Sequence, residues 1–127
     1  MNQIVLLIGN LGDDPELRYV GEGVPLATFQ LAVNRWTPPD SQEERPPLWF
    51  RISTWRKIAL AVAENLKKGR SVLVVGEIDE PFAYTTHDSE ARATMQVTAR
   101  SVRFLGKPDG TAPSADEINQ ALNDVPF

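Results

Sequence analysis

The side chains that could take part in catalysis are few and far apart in the sequence. The only histidine, His87, lies in a polar stretch, and the 127 residues include no cysteine. A nucleophile needs a base within hydrogen-bonding reach, and His87 has neither a second histidine nor a cysteine to pair with. Asp13 and Asp14 precede Pro15, where turn chemistry explains them better than a metal pair does. The sequence therefore predicts no enzyme, no cofactor and no metal site.

The three tryptophans suit binding better than catalysis. Residues 24–36 and 49–55 alternate with the two-residue period of a β-strand. In both stretches the apolar side chains share one face, and Trp36, Trp49 and Trp55 fall on the other face among polar and cationic side chains. A large indole is costly to expose. Such a surface suits an unpaired nucleic-acid strand, because any base can stack on an indole at about 1–3 kcal/mol per base.

Cationic side chains accompany these tryptophans along the sequence. Arg35, Arg51, Arg56 and Lys57 are neighbours of the three indoles and could contact phosphates. Tryptophan and arginine are also enriched in protein–protein interfaces. From the pattern alone, a nucleic-acid site and a protein interface are equally good interpretations.

The charge distribution only mildly opposes nucleic-acid binding. The formal net charge is −4, but Lys107 stands against four acids in residues 106–127, so most of the negative excess lies there. No apolar run approaches the ~18 residues of a membrane span. The first residues lack a basic leader, so we expect no membrane contact and a cytoplasmic location.

The hydrophobic pattern predicts the elements that must position these residues. We interpret it as five strand regions with one helix between the third and fourth. This order is that of an all-β OB-fold, a five-stranded Greek-key barrel. Periodicity alone would also permit other small barrels. In residues 106–127, Pro, Gly, Ser, Ala and acids replace the strand formers. This composition predicts a disordered tail, with at most a helical turn at 115–123. The five regions comprise six predicted strand segments, at 3–11, 16–20 (a short one), 24–36, 49–55, 71–78 and 93–105. The other predicted features are a helix at 57–68, a polar hairpin at 79–92 and a bulge near Arg100 and Ser101.

Several stretches carry a family resemblance over residues 1–105. VLLIGNLGDDPELRY (5–19), ATFQLAVNRW (27–36), WFRI (49–52) and YTT (84–86) resemble bacterial and mitochondrial single-stranded DNA-binding proteins. The terminal Val125-Pro126-Phe127 resembles the family's acidic tip, which ends in Ile-Pro-Phe. The resemblance implies an OB domain at 1–105, which holds single-stranded DNA during replication, recombination and repair. It also implies a partner-binding tail at 106–127.

The resemblance also implies roles for particular residues and an oligomeric state. Family members are usually homotetramers and sometimes dimers, and one OB domain per chain suggests a tetramer here. The first strand commonly joins subunits, and the last residues recruit replication and repair proteins. The implied stacking residues are Trp36, Trp49, Trp55, Phe82 and Tyr84; the polar and phosphate contacts are Arg18, Asn34, Arg35, Arg51, Arg56, Lys57, Lys68 and Arg70; the subunit contacts are Ile4, Leu6 and Ile8; the tip comprises Asp124, Val125, Pro126 and Phe127.

Three departures from the family pattern keep an alternative open. Phe50 stands where a histidine is common, the fourth strand carries Asp79 and Glu80 where basic residues are common, and Asp124 is the single acid directly before the tip. An OB-fold accessory of the primosome type, which mainly binds protein, would fit the neutral body and the acidic hairpin. The Val-Pro-Phe terminus opposes that alternative. A small nuclease on the same fold is the third hypothesis.

Overall fold

The computed structural model describes residues 2–125. Within that range six strand segments and two helices follow one another along the chain. Helix α1 comes between β4 and β5, and α2 follows β6. The elements are β1 (Val5–Leu11), β2 (Glu16–Val20), β3 (Val24–Val33), β4 (Leu48–Trp55), α1 (Arg56–Asn65), β5 (Ser71–Thr85), β6 (Ala91–Leu105) and α2 (Ala115–Asn123).

The strands close into a barrel. Their order is β1-β5-β6-β4-β3-β2, and β1 also pairs with β3. The β4–β6 pairing is parallel and the others are antiparallel. β1 and β2 run in the same direction along β3, so they form one barrel strand that is interrupted at residues 12–15. The barrel therefore has five strands with α1 between the third and fourth, which confirms the predicted OB-fold.

The predicted core face is confirmed. Phe29, Leu31 and Ile52 are fully buried inside the barrel, alternating with outward side chains. Thr54 is equally buried, and its hydroxyl donates to the Ala27 carbonyl over 2.8 Å. That bond satisfies the buried Thr54 hydroxyl. The helix is shorter than predicted, because the backbone becomes extended at Leu66, whose side chain is buried in the core.

The polar hairpin predicted at residues 79–92 is present, and its strands are longer than predicted because they continue β5 and β6. β5 continues to Thr85 and β6 begins at Ala91, so only residues 86–90 form the turn. Backbone pairing sustains these strands although both of their faces are solvated, and the side-chain pattern therefore gives no strand signal there. The predicted bulge is confirmed at Arg100, which has no partner between the Val75–Ser101 and Gly76–Ala99 pairs.

The prediction of a disordered tail is wrong for the described residues. Ser114 caps α2 by accepting from the Glu117 amide over 3.1 Å, and the Glu117 carboxylate accepts from the Gly106 amide at 2.9 Å. Ala121 is buried against the sheet. The Arg103 guanidinium, 2.7 Å from Asp124, lowers the pKa of that carboxyl. A helix of nine residues is unstable alone, so α2 depends on its packing against the sheet for stability. The polar composition of the tail does not reveal this packing.

Candidate nucleic-acid interface

An outward row of polar side chains crosses three neighbouring strands of the barrel. Arg51 on β4 is paired with Gln30 on β3 and with Gln96 on β6. Trp49 and Trp55 lie on the same face of β4 as Arg51, and they are 48% and 39% exposed. They are separated along the strand by about 20 Å, at about 3.3 Å per residue. The face thus offers two indole surfaces with a guanidinium between them.

The turn between β1 and β2 supports the Trp49 side chain. A Cβ atom added at Gly12 would lie 2.4 Å from Cζ3 and 2.7 Å from Cη2 of the Trp49 indole. The Gly12 amide donates to the Gln30 carbonyl, and the Gln30 amide donates to Asp13 Oδ1 over 3.0 Å. The Lys68 amide donates to Asp14 Oδ1 over 2.9 Å. Two carboxylates therefore anchor a turn whose glycine leaves room for the indole.

We expect Gly12→Ala to displace the Trp49 ring and to weaken strand binding. Because the obstructing atoms belong to a side chain, the ring can move and the loss of stability should stay below about 1 kcal/mol. A phenyl ring at position 49 lacks the outer indole atoms, so Gly12→Ala should cost no further affinity in a Trp49→Phe background. A double-mutant cycle on oligo-dT affinity measures this coupling. Equal losses in both backgrounds would contradict it.

The junction between β4 and α1 places two cations beside Trp55. Arg56 and Lys57 are exposed at the start of the helix. Arg56 has φ 58, in the left-handed region that residues other than glycine rarely adopt. This conformation turns the chain sharply from the strand into the helix directly after Trp55, and it costs about 1–2 kcal/mol.

Arg56→Gly and Lys57→Gly should separate the role of the backbone from that of the charge. Glycine relieves the left-handed strain at position 56, so the free energy of unfolding should stay equal or rise by about 0.5 kcal/mol. At position 57, in regular helix, glycine should lower it by about 0.5–1 kcal/mol. Both variants lose a cation and should bind single-stranded DNA more weakly. Denaturant unfolding and oligo-dT binding measure the two effects, and a large destabilisation at position 56 would contradict the strain argument.

The hairpin brings the two remaining candidate stacking residues to this face. Phe82 and Tyr84 are exposed and stack on each other, with ring centroids 6.2 Å apart and an interplanar angle of 21°. Phe82 lines one shallow depression together with Gln30, Arg51, Thr94 and Gln96. The aromatic pair therefore continues the row that begins on β3. Sequence reasoning assigned no role to Gln96, although its alternation with the buried Val97 indicates an outward position.

The carboxylates of Asp79 and Glu77, and the backbone of Glu80, take part in contacts within the hairpin. Asp79 accepts from the Thr98 hydroxyl at 2.5 Å. The Glu80 carbonyl accepts from the Gln96 amide group at 2.9 Å. Glu77 pairs with Arg100 at 2.8 Å, which leaves that arginine partly neutralised. The acidic segment that departs from the family pattern thus takes part in cross-strand pairing along the hairpin.

The other predicted contact residues differ in exposure. Trp36 and Asn34 are exposed, but they lie beyond the end of β3 at Val33, in the loop and not on the strand as predicted. Arg70 is only 8% exposed, donates to the Leu105 and Asn65 carbonyls, and lies over the Phe104 ring. Because its guanidinium is directed into the protein, we leave Arg70 out of the interface. Arg18 and Lys68 are exposed and Arg35 is half-buried.

The C-terminal helix α2 covers two of the three predicted subunit contacts and precedes the predicted tip. Ile4 is exposed, whereas Leu6 and Ile8 pack in the cluster that α2 covers. Asp124 and Val125 follow the helix, and Pro126 and Phe127 lie outside the described residues.

Over residues 2–125, neither helix is long and apolar enough to cross a membrane. The same range holds no group of three or more His, Asp or Glu side chains that could bind a metal ion.

Comparison with known proteins places this barrel in a family. The model of the single-strand binding protein family matches residues 1–105. A single-stranded DNA-binding protein of Caldanaerobacter subterraneus subsp. tengcongensis is 41% identical, over 96% of this chain and 86% of its own length. One from Bacillus cereus is 38% identical over the whole chain and 73% of its length. Single-stranded DNA-binding protein A of Bacillus subtilis strain 168 is 37% identical over 91% of the chain. The chain therefore belongs to the single-strand binding protein family.

Proposed function

We propose that this protein binds single-stranded DNA without sequence preference and performs no chemistry on it. The observation that carries the proposal is the outward face on which the Trp49 and Trp55 indoles flank Arg51, with Phe82 at its border. Flat aromatic surfaces stack with any base, and the guanidinium attracts phosphates, so neither depends on sequence. The names of the relatives support the same ligand.

The proposed interface comprises this face and the exposed groups around it. We propose that bases stack on the indoles and on the hairpin aromatics, while cations and amides along the rim hold phosphates and sugars. All of these groups are exposed except Arg35 and Arg51, which are half-buried, and this exposure supports the assignment. The stacking set is Trp36, Trp49, Trp55, Phe82 and Tyr84, and the polar set is Arg18, Asn34, Arg35, Arg51, Arg56, Lys57 and Lys68.

The biological setting extends this proposal. We infer that the protein protects exposed strands in the bacterial cytoplasm during replication, recombination and repair, and that it acts as a homotetramer. Its terminal residues Asp124–Phe127 recruit partner proteins. Family membership supports both inferences.

Fluorescence anisotropy of labelled oligo-dT, oligo-dA and a duplex of equal length tests the proposal. We expect similar affinities for the two single strands and much weaker binding to the duplex. If about six phosphates are contacted, log affinity should fall against log salt with a slope near −4, from about −0.7 per contact. Equal binding to duplex and single strand, or an affinity that differs greatly between dT and dA, would contradict the proposal.

A further inference from the structure

The shallow depression beside Arg51 on the outward face has room for one aromatic ring. Its volume is about 160 Å³, and a cavity of about 150 Å³ holds a benzene molecule. The exposed Phe82 ring forms one part of its lining, and four polar side chains form the rest, namely Gln30, Arg51, Thr94 and Gln96. A base that stacked on Phe82 would therefore have its polar edge among hydrogen-bonding groups.

The guanidinium of Arg51 is the strongest hydrogen-bond donor in this depression. Arg51 is half-buried, and its guanidinium carries donors in a planar fork and no acceptor. None of the ion pairs in residues 2–125 includes Arg51. Gln96 beside it is held in place, because its side-chain nitrogen donates to the Glu80 carbonyl over 2.9 Å. The depression thus contains a donor fork that a ligand can use.

Acidic side chains on the other side of Arg51 favour a neutral partner for this fork. Arg51 also lines a second depression, together with Asp13, Asp14 and Glu16. A phosphate bound at this point would be repelled by three carboxylates, whereas a base has no net charge. The charge of Arg51 still attracts the strand from a distance, but its hydrogen bonds are better suited to the edge of a base.

Guanine is the base whose acceptors best match a guanidinium fork. Two parallel N–H groups require two neighbouring acceptors, and guanine presents O6 and N7 in that arrangement. In adenine the N7 acceptor adjoins a donor, and in thymine O4 adjoins a methyl group. Cytosine has neighbouring acceptors at N3 and O2, but its single ring covers less of Phe82 than a purine does.

We propose that this depression is a subsite that prefers guanine, at one position of a strand whose other bases are bound without preference. Arg51 determines the preference through a two-fold hydrogen bond to O6 and N7, Phe82 supplies the stacking surface, and Gln30 and Gln96 border the base. The inference rests on the proposed function, because it assigns one base position within the same interface.

Oligo-dT strands that carry a single dG test the subsite. The dG is moved through every position of a strand of fixed length, with dA and dC series as comparisons, and competition anisotropy measures each affinity. At the best position, dG should bind at least about five-fold tighter than dT, the lower end of what a two-fold base contact contributes. Replacing that dG by 7-deaza-dG, which has carbon in place of N7, should remove most of the gain.

Arg51→Lys tests the residue that reads the base. Lysine keeps the charge but lacks the planar fork, so the ratio of dG to dT affinity at the best position should fall close to one. The matched control is Arg45→Lys, an equal exchange at an exposed loop position outside the depression, and it should keep the parent ratio. Because the readout is a ratio, a general loss of strand affinity in Arg51→Lys does not mimic the expected result.

Equal affinities for dG and dT at every position would overturn the subsite. A ratio that survives in Arg51→Lys, or a gain that survives with 7-deaza-dG, would overturn the assigned contact, and tighter binding of dC than of dG would overturn the choice of guanine. Failure of the proposed function is a distinct result, since every single strand would then bind weakly whatever its bases, and it would overturn this inference as well.

Discussion

Trp55→Ala should weaken the binding of oligo-dT about 5- to 150-fold, since an indole stacked on a base contributes about 1–3 kcal/mol. The side chain is 39% exposed at the end of β4, on the same face as Arg51. Stacking does not distinguish bases, so the loss should be similar for oligo-dA and oligo-dC. Competition binding with the three oligonucleotides measures the effect.

Trp55→Phe is the control for this substitution. A phenyl ring retains a flat π-surface, so most of the affinity should return while the indole fluorescence of that site is lost. The melting temperature should change little in either variant, because the side chain is only partly buried. An unchanged affinity in Trp55→Ala would remove this residue from the interface, and a loss confined to one oligonucleotide would contradict sequence-tolerant stacking.

Gly76→Ala should produce a large loss of stability for a change of a single methyl group. A Cβ atom there would lie 2.1 Å from the Thr98 carbonyl oxygen and 2.9 Å from its carbon, both of them backbone atoms of β6. The site adjoins the bulge at Arg100, where the two strands approach closely. A backbone obstruction cannot rotate away, so we expect the free energy of unfolding to fall by about 3 kcal/mol.

Gly12→Ala is the matched control, because the same methyl group meets only the movable Trp49 ring. Urea unfolding of both variants should show a large fall in midpoint at position 76 and a small one at position 12. Among the folded proteins, Gly12→Ala should lower the affinity for single-stranded DNA more than Gly76→Ala does. If the midpoint for Gly76→Ala equalled that of the parent, β5 and β6 could move apart to admit the methyl group. That result would contradict the expected loss of stability.

Alternation predicted strands such as β4, which has one buried and one solvated face. A continuous apolar run predicted β5 instead, because residues 71–76 are buried on both faces. The outward positions of Trp49 and Trp55 follow from the buried positions of Phe50, Ile52 and Thr54, and the structure confirms this pattern. The same logic fails for the outer hairpin, where both faces are solvated and only backbone pairing defines the strands. Trp36 departs from the prediction because β3 ends at Val33, before the alternation does.

The C-terminal helix had two signals in the sequence. Ser114 followed three residues later by Glu117 is a capping-box spacing. The run of Val72, Leu73, Val74 and Val75 also requires an outer cover that the barrel alone does not supply. Neither signal identifies α2 as that cover, because a second chain would serve equally. The close contact between Gly12 and the Trp49 ring could not be predicted either, because it depends on the distance between a turn and a ring on another strand.

We would first titrate the protein with oligo-dT at low and high salt and follow its intrinsic tryptophan fluorescence. We expect strong quenching that saturates at a fixed number of nucleotides per chain and weakens at high salt. The quenching should fall when Trp49 and Trp55 are both replaced by phenylalanine, which leaves Trp36 as the only indole. Absence of quenching at low salt would contradict strand binding by these indoles. The exposed indoles would then serve a protein interface, and the OB-fold accessory would become the better account of this chain.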